Sequence, residues 1–424
     1  MPTLIYKSLF LTVFVSLLLS VNNSVAAEHN HQSASVTAAL TKETPAKMAQ
    51  TVPCAETNIV CAKTVTSAFA PNGDLWRLWA INASLYFQIS TDNGLTFSAS
   101  SRIAIDKEKI SARNENRPKI AFDNYQGVYV SWASPKEKKY SADIRFSYSS
   151  DYGKTFTKPV TVNDDNLLTG HSFNEMLVTD EGDISLVWLD SRLTYQLRKE
   201  GKPTNGSALY LGKANYRKSD LGFSNEQLAN NTCVCCRIAI DYNNQGELAI
   251  FWRHIYGDNI REFALLTLAN GEKVQQVPYQ ISYDHWKING CPHQGGAISI
   301  NENNRYHLVW FNQGDVGKGI FYASSHDQGK SLTKPISVGV QAAQAAHPHL
   351  NTNGNNIDIV WTQFNGTEHE LWHQRSPNNG KSFNNAVLLA TATEGSDRPF
   401  IIKNGKTSYV SWHRPKQGHW VQAL

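Results

Sequence analysis

Charge is scarce in this chain. Only 18% of its 424 residues are Asp, Glu, Lys or Arg, and the formal net charge is +4. The basic residues do not gather: the densest patch, Lys136–Lys139, is interrupted by Glu137. A protein that grips nucleic acid needs a basic stripe to neutralise phosphates, so that function class is excluded. Long apolar runs are equally scarce. The longest, Leu9–Val21, is too short at its core for a membrane span, and no other stretch could cross a bilayer as a helix. Cysteine is uncommon, at six residues, and none follows the N-terminal apolar run where a lipid anchor would need it.

The one apolar run that is present has the layout of an export signal. Lys7 supplies a positive start, Leu9–Val21 the apolar core, and Ser24-Val25-Ala26-Ala27 a small-residue cleavage site. This predicts a signal peptide over residues 1–27. Residues 28–52 are rich in Ala, Thr, Ser and Gln without periodicity and are expected to form a flexible leader. Cleavage after Ala26 would make His29 the third residue of a free amino terminus, a square-planar Cu(II) site. The remaining residues, 53–424, are expected to form one domain, monomeric and without a membrane span. The expected location is the periplasm or the cell exterior, where disulfides persist and bare thiols do not.

What the chain does have in quantity is aromatics and turn residues. It holds 11 Trp and 17 Tyr, with Gly, Asn, Asp and Ser recurring between short apolar runs. That composition favours strands. One motif repeats as Ser90-Thr91-Asp92-Asn93-Gly94-Leu95-Thr96-Phe97 and as Ser149-Ser150-Asp151-Tyr152-Gly153-Lys154-Thr155-Phe156. Looser copies start at Ser325 and Ser376, and a decayed one at Ser219. The Asp or Asn side chain suits a tight turn, Gly supplies positive φ, and the aromatic plugs the core below. A second motif, an apolar strand, a turn and an alternating strand ending in Trp, recurs at Trp79, Trp132, Trp188, Trp252, Trp310, Trp361 and Trp412. The repeat of 51 to 64 residues predicts an all-β fold, a β-propeller of four-stranded blades. Seven blades are favoured and six are the alternative. In each blade Trp lies on the second strand and the aspartate turn joins third to fourth. A segment near Cys54–Cys61 is expected to complete the last blade from the N-terminal side.

The SxDxGxTF turns resemble the Asp-boxes, or BNR repeats, of sialidase-like β-propellers, over roughly residues 60–424. Such turns are structural and also occur in propellers that are not sialidases, so the resemblance implies fold more than activity.

The aspartate turns occupy one face of a propeller, which leaves the opposite face for a site. That face is built from the entries to the first strands, here Arg117, Asn174, Cys235, Cys291, His347 and Arg398. The thiols and imidazoles among them and beside them are candidate metal ligands: Cys233, Cys235, Cys236, Cys291, His293, His347 and His349. His347 and His349 are expected on the same side of one strand. Cys and His together suit copper or zinc. Disulfides are the alternative: Cys54 with Cys61, Cys235 with Cys236, and Cys233 with Cys291. A reactive cysteine is a third.

The sialidase resemblance implies another set. An arginine cluster of Arg117, Arg237 and Arg398, with Arg253 as a substitute, would clamp a carboxylate. Glu175 would activate a tyrosine such as Tyr283 or Tyr256, and Asp190 would be the acid. The chain departs from that pattern by carrying Cys-x-Cys-Cys, Cys-Pro-His and His-Pro-His at the ring, which leaves less room for a sialic acid. Three functions follow: a metal-binding or redox propeller, an exo-sialidase, or a non-catalytic binder of glycan or protein. The partner at the axis would be a small molecule, a glycan or a metal ion.

Overall fold

The computed structural model describes residues 58–424, apart from 82, 104, 106–107, 219–221 and 270–276. The predicted signal peptide, the leader with its copper-binding His29, and Cys54 lie outside the described residues. So does most of the decayed turn motif at Ser219.

Seven sets of antiparallel strands follow one another along the chain, six of four strands and one of three. Their innermost strands are Val65–Phe69, Lys119–Phe122, His171–Val178, Ala239–Tyr242, Ala297–Ile300, Ala346–Asn353 and Phe400–Asn404. Each set is one blade, numbered 1 to 7 in that order. Among the described residues this gives the favoured seven. The third and fourth blades are additionally joined by one pairing, Thr232 with His254. One α-helix, Arg192–Lys199, is inserted in blade 3.

All seven repeat tryptophans lie on second strands and are at most 1% exposed. Six of them share a core cluster with a neighbouring blade, while Trp79 clusters with its own blade and the turn before it. Trp252 packs on Leu209 and Leu211 of blade 3, and Trp310 on Phe251 and Phe263 of blade 4. Burying a Trp this completely contributes about 3–5 kcal/mol against Ala. The second strands were expected to alternate and to end at Trp. Instead they run past it, as in Leu248–Tyr256, and in blade 5 seven consecutive residues are buried. The reason is that blades cover both faces of each sheet, so no face is left for polar alternation.

The repeat turns join third to fourth strands, as their spacing predicts. In blade 2, Ser149 Oγ accepts from Gly153 N at 2.8 Å, and Asp151 accepts from Thr155 N at 2.9 Å and from its hydroxyl at 2.6 Å. Gly153 has φ +82°, and a Cβ there would lie 2.7 Å from the Trp76 ring, so only glycine fits. Asn378 takes the place of Asp in blade 6, accepting from Ser382 N at 2.9 Å.

Ring closure joins the start of the described chain to its end. Val65 N donates to Asp397 at 3.2 Å, and a His413 ring nitrogen lies 2.8 Å from the Ala62 carbonyl. The segment expected to add a strand to blade 7 differs. Ile59–Cys61 is a 3-10 turn capped by the Asn58 side chain, and its Val60 carbonyl accepts from Lys416 N. Among the described residues blade 7 therefore has three strands. No helix among them is long and apolar enough to cross a membrane.

Candidate metal centre

Cys233, Cys235 and Cys236 lie where blade 3 hands over to blade 4. Because Thr232 pairs with His254, the chain runs on along the second strand of blade 4, and Cys233 N donates to the Arg253 carbonyl at 2.9 Å. The segment then turns in. Cys233, Cys235 and Cys236 are buried against Phe173, while Val234 between them is exposed. Cys233 Sγ lies 2.8 Å from Cys236 Sγ and 3.8 Å from Cys235 Sγ.

The next handover, from blade 4 to blade 5, carries Cys291 and His293. Two glycines hold it close. A Cβ on Gly295 would sit 2.5 Å from the Arg237 Cβ, and one on Gly296 2.4 Å from the Phe251 ring. The Gly-Gly pair thus lets this connection lie directly on the residue after Cys236. Arg237 fastens it by donating to the Gly296 carbonyl at 2.8 Å. As a result Cys235 Sγ, Cys291 Sγ and a ring nitrogen of His293 lie within 4.8 Å of one another. Cys233, Cys235 and Cys236 form a second such trio, and Cys235 belongs to both. Cys233, Cys235, Cys236 and Cys291 are all free thiols, so neither the Cys235–Cys236 nor the Cys233–Cys291 bridge is formed. The Cys54–Cys61 pair has one end outside the described residues.

Burial differs within the site. Cys235 is covered, but Cys291 and His293 are exposed and border a cleft of about 1100 Å³. Lys63, Lys109, Arg113, Lys136, Lys138 and Lys139 line that cleft. Sulfur contacts from Cys235 and Cys236, backed by the charge of Arg253, hold the Cys233 thiol well below its usual range. Contact with Cys233 pushes Cys235 up, and burial does the same for Cys236. One thiol of the cluster is therefore primed to lose its proton first.

The two histidines of blade 6 do not join either trio. The register of their strand breaks between Ala346 and His349, and His347 has φ +54°. Strand alternation fails there, so the pair does not share a side. His347 faces a cavity beside Gln294 and Arg398, with Gln294 Nε2 3.4 Å from its ring. His349 faces the central channel, where its Nδ1 accepts from Ile401 N at 3.1 Å. Burial and the nearby arginines push both imidazoles down, keeping them neutral.

Arg117, Arg237, Arg398 and Glu175 line one cavity of about 350 Å³ in the central channel. The charges there are largely spent on each other. Arg117 grips Asp397 through both nitrogens at 2.5 and 2.7 Å. Arg237 sits 3.2 Å from Glu115, and Glu175 is 2.6 Å from Lys119. Burial pushes the Lys119 ammonium down, and Glu175 opposes it. Arg398 has no carboxylate within ion-pair distance among the described residues, and its Nε is unpartnered. Asp190 is not in this channel. It is buried in blade 3, accepting from the Trp188 indole at 2.9 Å and from Arg192, with His171 at 3.4 Å. Tyr283 is exposed, and Tyr256 packs on His254, so neither meets Glu175, which is taken by Lys119.

Three groups escaped sequence reasoning. Glu115 and Asp397 neutralise the channel arginines, and each stands within two residues of Arg117 or Arg398, a proximity that hinted at their role. The trio Asp165, His171 and Asp190 also converges, but Arg192 pairs with both carboxylates.

No protein-family model matches the chain, and no curated protein matches it by sequence. Solved structures match its fold. The BP39L lectin from Burkholderia pseudomallei aligns over 87% of this chain and 96% of its own, with 11% identity and a TM-score of 0.55. A PL25 ulvan lyase bound to -[GlcA(1-4)Rha3S]- aligns over 86% of this chain and 95% of its own, with 9% identity and a TM-score of 0.53. The Hadza microbial sialidase Hz136 aligns over 82% and 76%, with 11% identity and a TM-score of 0.48. At identities this low, the lectin and the lyase speak for a shared fold alone.

Proposed function

We propose that this chain is an exported β-propeller that holds a soft metal ion, copper in its cuprous state, at the junction of blades 3, 4 and 5. The observation that carries the reading is the convergence of Cys235, Cys291 and one nitrogen of His293 within 4.8 Å. Two thiolates and an imidazole select soft or borderline ions. Structural zinc takes four protein ligands, but three with an open position also suit a zinc that keeps a water, so copper is preferred for the thiolate-rich surroundings rather than the ligand count. Cuprous copper accepts three. The predicted export signal strengthens the case, because free thiols in an oxidising compartment are consumed unless a metal occupies them.

The test is metal analysis of the mature chain purified without oxygen. Copper should co-purify with the wild-type protein, and Cys291→Ser should lower its affinity by about 10-fold or more. Cys291 is exposed, so that variant should fold. Zinc in place of copper would change the ion and keep the site. Absence of any bound metal at full thiol count would overturn the reading.

A second reading, a site for an acidic glycan, rests on the six cationic side chains lining the cleft. It predicts salt-sensitive binding of acidic oligosaccharides. An exo-sialidase reading would need the channel arginines, and two of the three are already paired. Hydrolysis of a fluorogenic sialoside would revive it.

A further inference from the structure

Resting on the soft-metal reading, we propose that the thiol cluster binds two cuprous ions: one in the Cys233–Cys235–Cys236 trio, one in the Cys235–Cys291–His293 trio, with the Cys235 thiolate bridging them. Both trios meet the same distance limit, and they share one sulfur. A thiolate has lone pairs enough for two soft ions, which neither an imidazole nitrogen nor a protonated thiol has. The inner trio is buried against Phe173 and offers three sulfurs, with no His, Asp or Glu completing the group among the described residues. Cys233 and Cys236 stand with their sulfurs 2.8 Å apart, so an ion held by both would spread them.

Arg253 supplies an independent sign of negative charge. It is 1% exposed, yet among the described residues no carboxylate pairs with it. Its guanidinium donates to the carbonyls of Gln294, Arg261 and Phe311 and lies over the Phe263 and Trp286 rings. Asp284 feels the guanidinium's charge but does not reach ion-pair distance, so this buried cation is left without a direct partner. Two cuprous ions on four thiolates carry a net double negative charge. That cluster would lie beside Arg253, whose own carbonyl holds Cys233 N. Uptake of the ions releases the thiol protons to solvent.

The experiment titrates the reduced, mature chain with Cu(I) held as its acetonitrile complex and counts ions per chain by native mass spectrometry. Two ions are expected in the wild type, and copper-edge X-ray absorption should show a metal–metal distance. Cys236→Ser and Cys291→Ser should each stop at one ion and lose that distance. Cys235→Ser should weaken both sites by at least about 100-fold. If the wild type saturates at one ion that Cys291→Ser removes, the bridged pair is overturned and the single-ion reading stands. A Cys233–Cys236 disulfide in the anaerobic protein would also overturn the pair. Failure to bind any ion would overturn both readings. Should a variant not fold, the wild-type count and the metal–metal distance still decide.

Discussion

At the scale of single residues, burial governs what each ionisable group can do. His307 in blade 5 is fully buried, with one ring nitrogen 2.6 Å from the Tyr322 hydroxyl. Burial, with the charges of Arg305 and His326, pushes its pKa down to about 3. An unfolded histidine titrates near 6.5. Between these values the unfolded chain takes up a proton that the native chain refuses, so stability is complete above about pH 6.5 and falls as pH drops towards 3. The slope for this one group is about 1.4 kcal/mol per pH unit. Replacing it by His307→Gln should flatten the pH dependence of urea-unfolding stability over that window by up to one proton. An unchanged slope would show that the imidazole is not sealed from solvent. The residue scale is also where sequence reading reached least far. The sulfurs were legible as a cluster, because three cysteines within four positions cannot separate. Arg253 was legible only as a substitute member of the arginine clamp. Its lack of a carboxylate partner is a property of packing, which no spacing reveals.

At the scale of elements, turns and connections decide which side chains meet. The repeat turns were legible because their chemistry is local: Ser, Asp and Gly bond within eight residues. The path of the metal-site connections was not, because it depends on a pairing between blades, Thr232 with His254, and on two glycines pressed against blade 4. His347 misled for a related reason. Strand alternation predicts a shared side for His347 and His349, but a register break separates them. The Gly-Gly contact yields a prediction. In Gly295→Ala the new methyl would meet the Arg237 side chain and backbone at 2.5 to 3.1 Å, lifting Cys291 and His293 from Cys235. Copper affinity should fall by about 10-fold or more, as loss of ligand support does elsewhere. The circular dichroism spectrum should stay as in the wild type. Unaltered affinity would mean that the glycine does not position the ligands.

At the scale of the whole molecule, the ring brings distant segments together, and Asp397 shows how it is kept shut. This one carboxylate accepts from Val65 N of blade 1 and grips Arg117 at the entry to blade 2, while belonging to blade 7 itself. Burial pushes its pKa up, and the Arg117 fork opposes that. Asp397→Asn would leave a buried guanidinium unpaired and should destabilise the fold by about 3–5 kcal/mol, read as a lower Tm and urea midpoint. A loss below about 1 kcal/mol would show that closure rests elsewhere. The blade count was readable from seven evenly spaced tryptophans, since each inter-blade gap needs one large apolar wedge. The closing arrangement was not, because the neighbouring Arg398 hints that Asp397 meets an arginine but not that its partner is Arg117 of another blade.

The claim on which the functional account rests is that thiolates of blades 3 and 4 and an imidazole beside blade 5 share one ion. Copper-edge X-ray absorption of the loaded mature protein tests it most directly. Sulfur and imidazole nitrogen in the first shell, with the edge of cuprous copper, is the predicted result. A first shell of oxygen and nitrogen alone would contradict it.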